Sequence, residues 1–97
     1  MSRVTVRLPG ALRELVGGQR QVVVDVPAAG PPSVATVLDV LAARHPGLER
    51  RIRDETGALR EHVNLFVGAD NIRDLQRLAT EIPSGAELIV LPAVSGG

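Results

Sequence analysis

Ser33-Val34-Ala35-Thr36-Val37-Leu38-Asp39-Val40-Leu41-Ala42-Ala43-Arg44 is the stretch that decides the fold. Serine is a residue type that caps helix N-termini by accepting a backbone amide hydrogen. Behind Ser33, Val34, Val37, Leu38, Leu41 and Ala42 recur at i, i+3, i+4, i+7 and i+8, which is one face of a helix. His45-Pro46-Gly47 stops it. The chain on either side carries the period of strands, so one amphipathic helix must cover the sheet those strands make.

Upstream, Arg3-Val4-Thr5-Val6-Arg7-Leu8 alternates polar and apolar, with Val4, Val6 and Leu8 toward the core and Arg3, Thr5 and Arg7 outward. Residues 11–16 suit one or two helical turns, closed by Gly17-Gly18. Residues 21–26 are β-branched and read as a second strand ended by Pro27, antiparallel to the first. A Pro/Gly-rich loop then leads to the helix.

Downstream, residues 48–53 suggest another helical turn and 54–60 a surface loop turning at Thr56-Gly57. His62-Val63-Asn64-Leu65-Phe66-Val67 alternates again, Val63, Leu65 and Val67 inward, Asn64 and Phe66 outward. Residues 68–71 read as a turn, with a short edge strand starting at Ile72, and 78–82 as a brief bend. Pro83-Ser84-Gly85 launches the last strand, with Leu88 and Val90 inward and Ile89 and Leu91 outward. Pro92 is where that strand is expected to stop, because it lacks an amide hydrogen.

The expected order is β-β-α-β-(β)-β. A mixed sheet of four to five strands with one main helix on one face buries this pattern. With the helix joining strands two and three, the first and last strands lie side by side in the middle. That is an α+β, β-grasp arrangement, which ubiquitin also has. One domain over residues 1–92 and a flexible tail over 93–97 are expected, with no repeat or second domain.

Composition narrows the function. The 97 residues carry zero formal net charge, which gives no electrostatic reason to bind nucleic acid or an anionic membrane. No apolar run approaches the ~20 residues of a membrane helix and no signal peptide is visible, so the expected location is the cytoplasm. There is no cysteine, hence no disulfide, thiolate metal site or cysteine nucleophile. All eleven basic residues are arginine. Codon bias explains that, and so does a protein whose activated C-terminus must meet no side-chain amine of its own.

The tail Leu91-Pro92-Ala93-Val94-Ser95-Gly96-Gly97 finishes on two glycines. Glycine averages ~7% of residues, so chance places such a pair in roughly one chain in two hundred. A glycine pair passes through a channel too narrow for a Cβ. Six extended residues reach at most ~20 Å, enough for Ala93, Val94, Ser95, Gly96 and Gly97 to enter a partner's active site. Beside the tail, Phe66, Ile89 and Leu91 fall on the face the helix does not cover, with Arg7 as a charged rim. Apolar and aromatic residues clustered there suit partner docking.

No constellation for catalysis or metal binding is present. His45 sits at a helix end and His62 at a strand start, without ligand-spaced partners. Gly17-Gly18 lacks the pattern of a phosphate loop. Arg50, Arg51 and Arg53 interleave with Glu49, Asp54 and Glu55 and read as a solvated face. Ser95 has no histidine or acid in its context. The chain is expected to be no enzyme, to bind no cofactor, and to be a monomer alone.

With fold and tail both read, the sequence resembles the MoaD/ThiS family of ubiquitin-like sulfur carriers. Leu12-Arg13-Glu14-Leu15, His62-Val63-Asn64-Leu65-Phe66-Val67, Pro83-Ser84-Gly85-Ala86-Glu87 and the tail carry the likeness, which spans nearly the whole chain. The ending is similar to that of the actinobacterial variant serving cysteine synthesis, Leu-Pro-Ala-Val-x-Gly-Gly. Molybdopterin-synthase small subunits usually end in Pro-Pro-Val; here Leu91 replaces the first proline and Ala93 intervenes.

The resemblance implies chemistry at the Gly97 carboxylate. An adenylating enzyme of the ubiquitin-activating type (MoeB/ThiF-like) would activate it with ATP, and a sulfur donor would displace AMP to leave a thiocarboxylate. A sulfur-accepting enzyme, such as a cysteine synthase or thiosugar synthase, would receive the sulfur. ATP and sulfur donor would be used by those partners. With Gly97 last, the resemblance implies no proteolytic processing. Three alternatives stay open: a small subunit of molybdopterin synthase, a ubiquitin-like protein modifier attached to lysines, and a non-covalent β-grasp adaptor.

Overall fold

Alternation of apolar residues in the chain becomes a five-stranded sheet backed by helices. The computed structural model describes residues 2–27 and 29–92. In chain order the elements are β1 (Ser2–Arg7), α1 (Gly10–Arg13), β2 (Gln21–Val26), α2 (Val34–Arg44), α3 (Pro46–Ile52), β3 (Val63–Val67), β4 (Asp70–Asn71) and β5 (Glu87–Pro92). Short 3-10 turns at Glu14–Val16, Ile72–Asp74 and Arg77–Ala79 complete it.

Strand order is β2-β1-β5-β3-β4. β1 runs antiparallel to β2 and parallel to β5, and β3 is antiparallel to both β5 and β4. The first and last strands therefore sit side by side in the middle, the expected β-grasp arrangement.

Val4, Val6, Val22, Val24, Val26, Leu65, Leu88 and Val90 point from the sheet into one core with Val34, Val37, Leu38 and Leu41 of α2. Each such side chain, fully buried, contributes roughly 1.5–3 kcal/mol. Ser33 caps α2 as expected: its hydroxyl accepts the Thr36 amide hydrogen at 3.2 Å, an interaction worth about 1 kcal/mol. Gly17 and Gly18 turn the chain at φ of 69° and 84°, a region open to glycine without strain.

Three details depart from the sequence reading. His45-Pro46-Gly47 ends α2 but also starts α3, because proline is suited to the first helical position. Its Leu48 and Ile52 are fully buried, so α3 is part of the core layer and not a lone turn.

The edge strand lies at Asp70–Asn71, two residues earlier than expected, and Ile72 opens a 3-10 turn. The cause is local: the Asn71 side chain accepts the Arg73 amide hydrogen at 3.0 Å and caps that turn.

Arg53 is not solvated. Its side chain is only 11% exposed and bridges Glu49 of α3 to Asp39 of α2, the latter at 2.9 Å. Those partners outweigh desolvation and raise its pKa. Arg50 and Arg51 are exposed, as expected.

Pro92 is the last residue of β5, where the strand was expected to stop, and it lies opposite Val63. The Gly68 amide donates to the Glu87 carbonyl at 3.1 Å, which makes Phe66/Ile89 and Asn64/Leu91 the hydrogen-bonded pairs of this ladder. Pro92 falls at a non-bonded pair, and its missing donor would face β1, whose pairing has already ended.

Candidate functional site

The face that the helices leave open is written by register. Gln21, Arg7, Ile89, Phe66 and Asn71 align across all five strands in one row, since Arg7 pairs with Gln21 and Ile89, and Phe66 with Ile89 and Asn71. Leu91 pairs with Asn64 in the next row toward the β5 exit. The four residues read from sequence as a patch, Phe66, Ile89, Leu91 and Arg7, are thus brought together on one face.

Their environments differ. Leu91 is 42% exposed, and Phe66 and Ile89 are half-buried, supported by their neighbours across the strands. Arg7 is exposed and pairs at 3.7 Å with Glu87 on β5, a surface contact worth well under about 1 kcal/mol and open to exchange for a partner's acid.

Around the β5 exit two concavities meet. One is lined by Pro9, Leu12, Val63, Val90, Leu91 and Pro92, apolar, with His62 and Arg51 at its rim. The other carries Arg7, Arg13 and Arg20 beside Pro9, Ile89 and Leu91. Arg13 is held there by its Nε–H donating to the Leu8 carbonyl at 3.1 Å. The point where the chain leaves β5 is therefore flanked by apolar surface on one side and guanidinium groups on the other.

Some of these features are not legible in the sequence. Val23, 41% exposed, shares the open face with Thr5. Val22-Val23-Val24 is uniformly apolar, so period two is invisible there; only Gln21 and Asp25 carried the parity. Arg13 closes α1 and Arg20 immediately precedes β2, and the path of the connection between them was not legible in the sequence. Ala93, Val94, Ser95, Gly96 and Gly97 lie outside the described residues.

Among the described residues, no group of three His, Asp or Glu side chains gathers to hold a metal ion. No helix there is long and apolar enough to cross a membrane. His45 acts through its backbone, donating to the Leu41 carbonyl at 2.7 Å and accepting from Leu48 and Glu49.

The ThiS family's sequence profile matches residues 6–97. The sulfur carrier protein CysO of Mycobacterium tuberculosis is 35% identical over 96 residues, which cover 97% of this chain and 98% of that protein. Small archaeal modifier protein 1 of Haloferax volcanii is 37% identical over 82 residues, 84% of this chain and 87% of that protein. Among solved structures, CysO in the BexX/CysO complex of Amycolatopsis orientalis superposes with a TM-score of 0.79 at 33% identity, over 97% of this chain and 99% of that one.

Proposed function

The chain belongs to the ThiS family of ubiquitin-like sulfur carriers and modifiers, and from that premise we propose that it carries sulfur as a thiocarboxylate on Gly97. The observation that carries this is the placement of β5. It is the central strand of the sheet, and it leads out beside Leu91 directly into the residues that finish on Gly96-Gly97.

The chemistry belongs to the main chain. A carboxylate oxygen of Gly97 attacks the α-phosphate of ATP and pyrophosphate leaves, giving the acyl adenylate. Hydrosulfide then attacks the acyl carbon, and AMP departs with the carbon–oxygen bonding pair, leaving the thiocarboxylate. No side chain of this protein is needed at either step. The activating enzyme, of the MoeB/ThiF-like type, supplies catalysis and any metal. A cysteine or thiosugar synthase, or an enzyme of that kind, accepts the sulfur.

Docking falls to the open face. Phe66, Ile89 and Leu91 form its apolar centre and Arg7 its rim, while residues 93–97 reach into the partner's site. The related CysO held in complex with BexX supports a role in which the carrier docks on a second protein.

The test is intact mass after incubation with an activating enzyme, ATP and sulfide. The expected result is a gain of one oxygen-to-sulfur exchange, localised to Gly97. Failure with every candidate activator counts against the reading.

The likeness to small archaeal modifier protein 1 favours a second reading, attachment of the Gly97 acyl group to lysines of other proteins. Isopeptide-linked adducts recovered from cells would establish it.

A further inference from the structure

The two edges of the sheet are finished differently. On one, β4 stops after two residues, and Arg73 occupies the β3 edge beyond it. Its guanidinium donates to the Val63 carbonyl at 2.8 Å and to the Arg60 carbonyl at 3.0 Å. On the other, β2 pairs only with β1 among the described residues.

The Leu8 amide donates to the Arg20 carbonyl at 2.9 Å. Hydrogen-bonded pairs alternate along an antiparallel ladder, so Val22, Val24 and Val26 exchange bonds with β1. Gln21, Val23 and Asp25 therefore turn their N–H and C=O groups away from the sheet. Natural edges are blunted by charged side chains (lysine above all), proline, bulges or a covering segment. Within Gln21–Val26 there is no lysine or proline, the one charge, Asp25, is paired with Arg3 of β1 at 3.0 Å, and the register with β1 runs without a bulge.

We propose that β2 is a self-pairing edge, along which two copies of this chain join antiparallel about a two-fold axis at Val23. The axis is perpendicular to the sheet, so open face continues into open face and outward-turned residues meet outward-turned residues. With Val23 opposite Val23 of the second copy, Gln21 stands opposite Asp25 on both sides. The outward backbone groups of all three residues are then paired. A two-residue shift one way sets Asp25 against Gln19, outside the strand; the other way sets Gln21 against Pro27, which has no amide hydrogen.

The side chains agree with that register. Val23 is 41% exposed and packs on its own counterpart, a β-branched cross-strand pair. The Gln21 carboxamide donates to an Asp25 carboxylate whose Oδ1 is engaged by Arg3 at 3.0 Å, leaving Oδ2 to accept. Three residue pairs bury less than the ~1,200 Å² of a stable dimer. The association is therefore concentration-dependent, in place of the monomer expected from sequence. β1 separates β2 from β5, so Leu91 remains uncovered.

The chain has no cysteine, so Val23→Cys carries the only thiol. Directly opposed, hydrogen-bonded strand residues have Cα atoms ~5.5 Å apart, within disulfide range. Under mild oxidation, full-length V23C should form a covalent dimer about ten-fold or more faster than E55C, whose thiol sits on an exposed loop, because pairing raises its effective concentration. Sedimentation equilibrium of the unmodified chain should show a monomer–dimer equilibrium that Val23→Lys abolishes, with circular dichroism unchanged. Equal oxidation rates of the two thiols overturn the pairing. So does an unmodified chain that sediments as a monomer throughout, which leaves the edge to an extended segment of another protein.

Discussion

Phe66 stands directly opposite Ile89 in the β3–β5 ladder, and Ile89 stands opposite Arg7 in the β1–β5 ladder. The patch is therefore set by backbone register and not by the reach of long side chains. A slip of one residue in β5 would send Ile89 and Leu91 to the core and expose Leu88 and Val90.

Because these side chains support little of the core, their loss should act on docking. Phe66→Ala and Leu91→Asp are each expected to weaken binding to the activating enzyme by about ten-fold, the effect of removing a 1–2 kcal/mol interface anchor. Their melting temperatures should stay close to that of the parent. Titration of each variant into the activating enzyme measures the first, and thermal denaturation the second. Unchanged affinity in both variants removes the patch from the interface.

Gly96→Val tests the tail separately from the patch. A branched Cβ beside the reacting carboxylate should block passage through a narrow channel, so ATP–pyrophosphate exchange should collapse. Affinity for the activating enzyme should fall much less, since the docking face is intact. Exchange at the parental rate would show that the tail meets no such constriction.

Arg73 offers a stability prediction. Its guanidinium supplies donors to the Val63 and Arg60 carbonyls and approaches Asn64 Oδ1 at 3.4 Å. Hydrogen bonds from a charged donor are worth about 1.5–3 kcal/mol, so Arg73→Ala should lower unfolding free energy by roughly that amount. Urea denaturation reads it directly. Arg73→Lys should recover only part, because an ammonium cannot span the same fork of acceptors.

Asp54 offers one in pH. Its carboxylate accepts from the Thr56 hydroxyl at 2.5 Å, the Thr56 amide at 2.8 Å and the Ala58 amide at 3.2 Å. Those bonds, the hydroxyl's first, hold its pKa below the ordinary 3.8. A lowered folded-state pKa stabilises at pH above the ordinary value, and that contribution disappears as pH falls through the folded one. Asp54→Ala should therefore be slightly less stable than the parent at neutral pH. The two melting curves should converge in acid. A difference that persists there would assign the effect to packing.

The parts legible in sequence were those governed by a period. The cap at Ser33, the helical face of α2 and the alternation in β1, β3 and β5 all follow from which residues must leave water, and together they fix a sheet covered on one side. What was not legible depended on single hydrogen bonds. Asn71 moved the edge strand by capping a turn with its side chain. Pro92 closes β5 as expected, but that it can still stand opposite Val63, its missing donor facing no strand, follows only once register is known. Arg53 left solvent because Asp39, 14 residues earlier, came into reach. The patch could be placed because it inherits strand parity, whereas Val23 was hidden in a run of three valines that carries no parity.

The central position of β5 has a mechanical consequence. Tension applied through the tail runs along a strand held on both flanks, by β1 on one side and β3 on the other. Such a load shears two ladders together instead of peeling one bond at a time. A partner that grips and draws the last residues inward therefore pulls against the strongest axis of the domain, and the body arrives folded at the partner's surface.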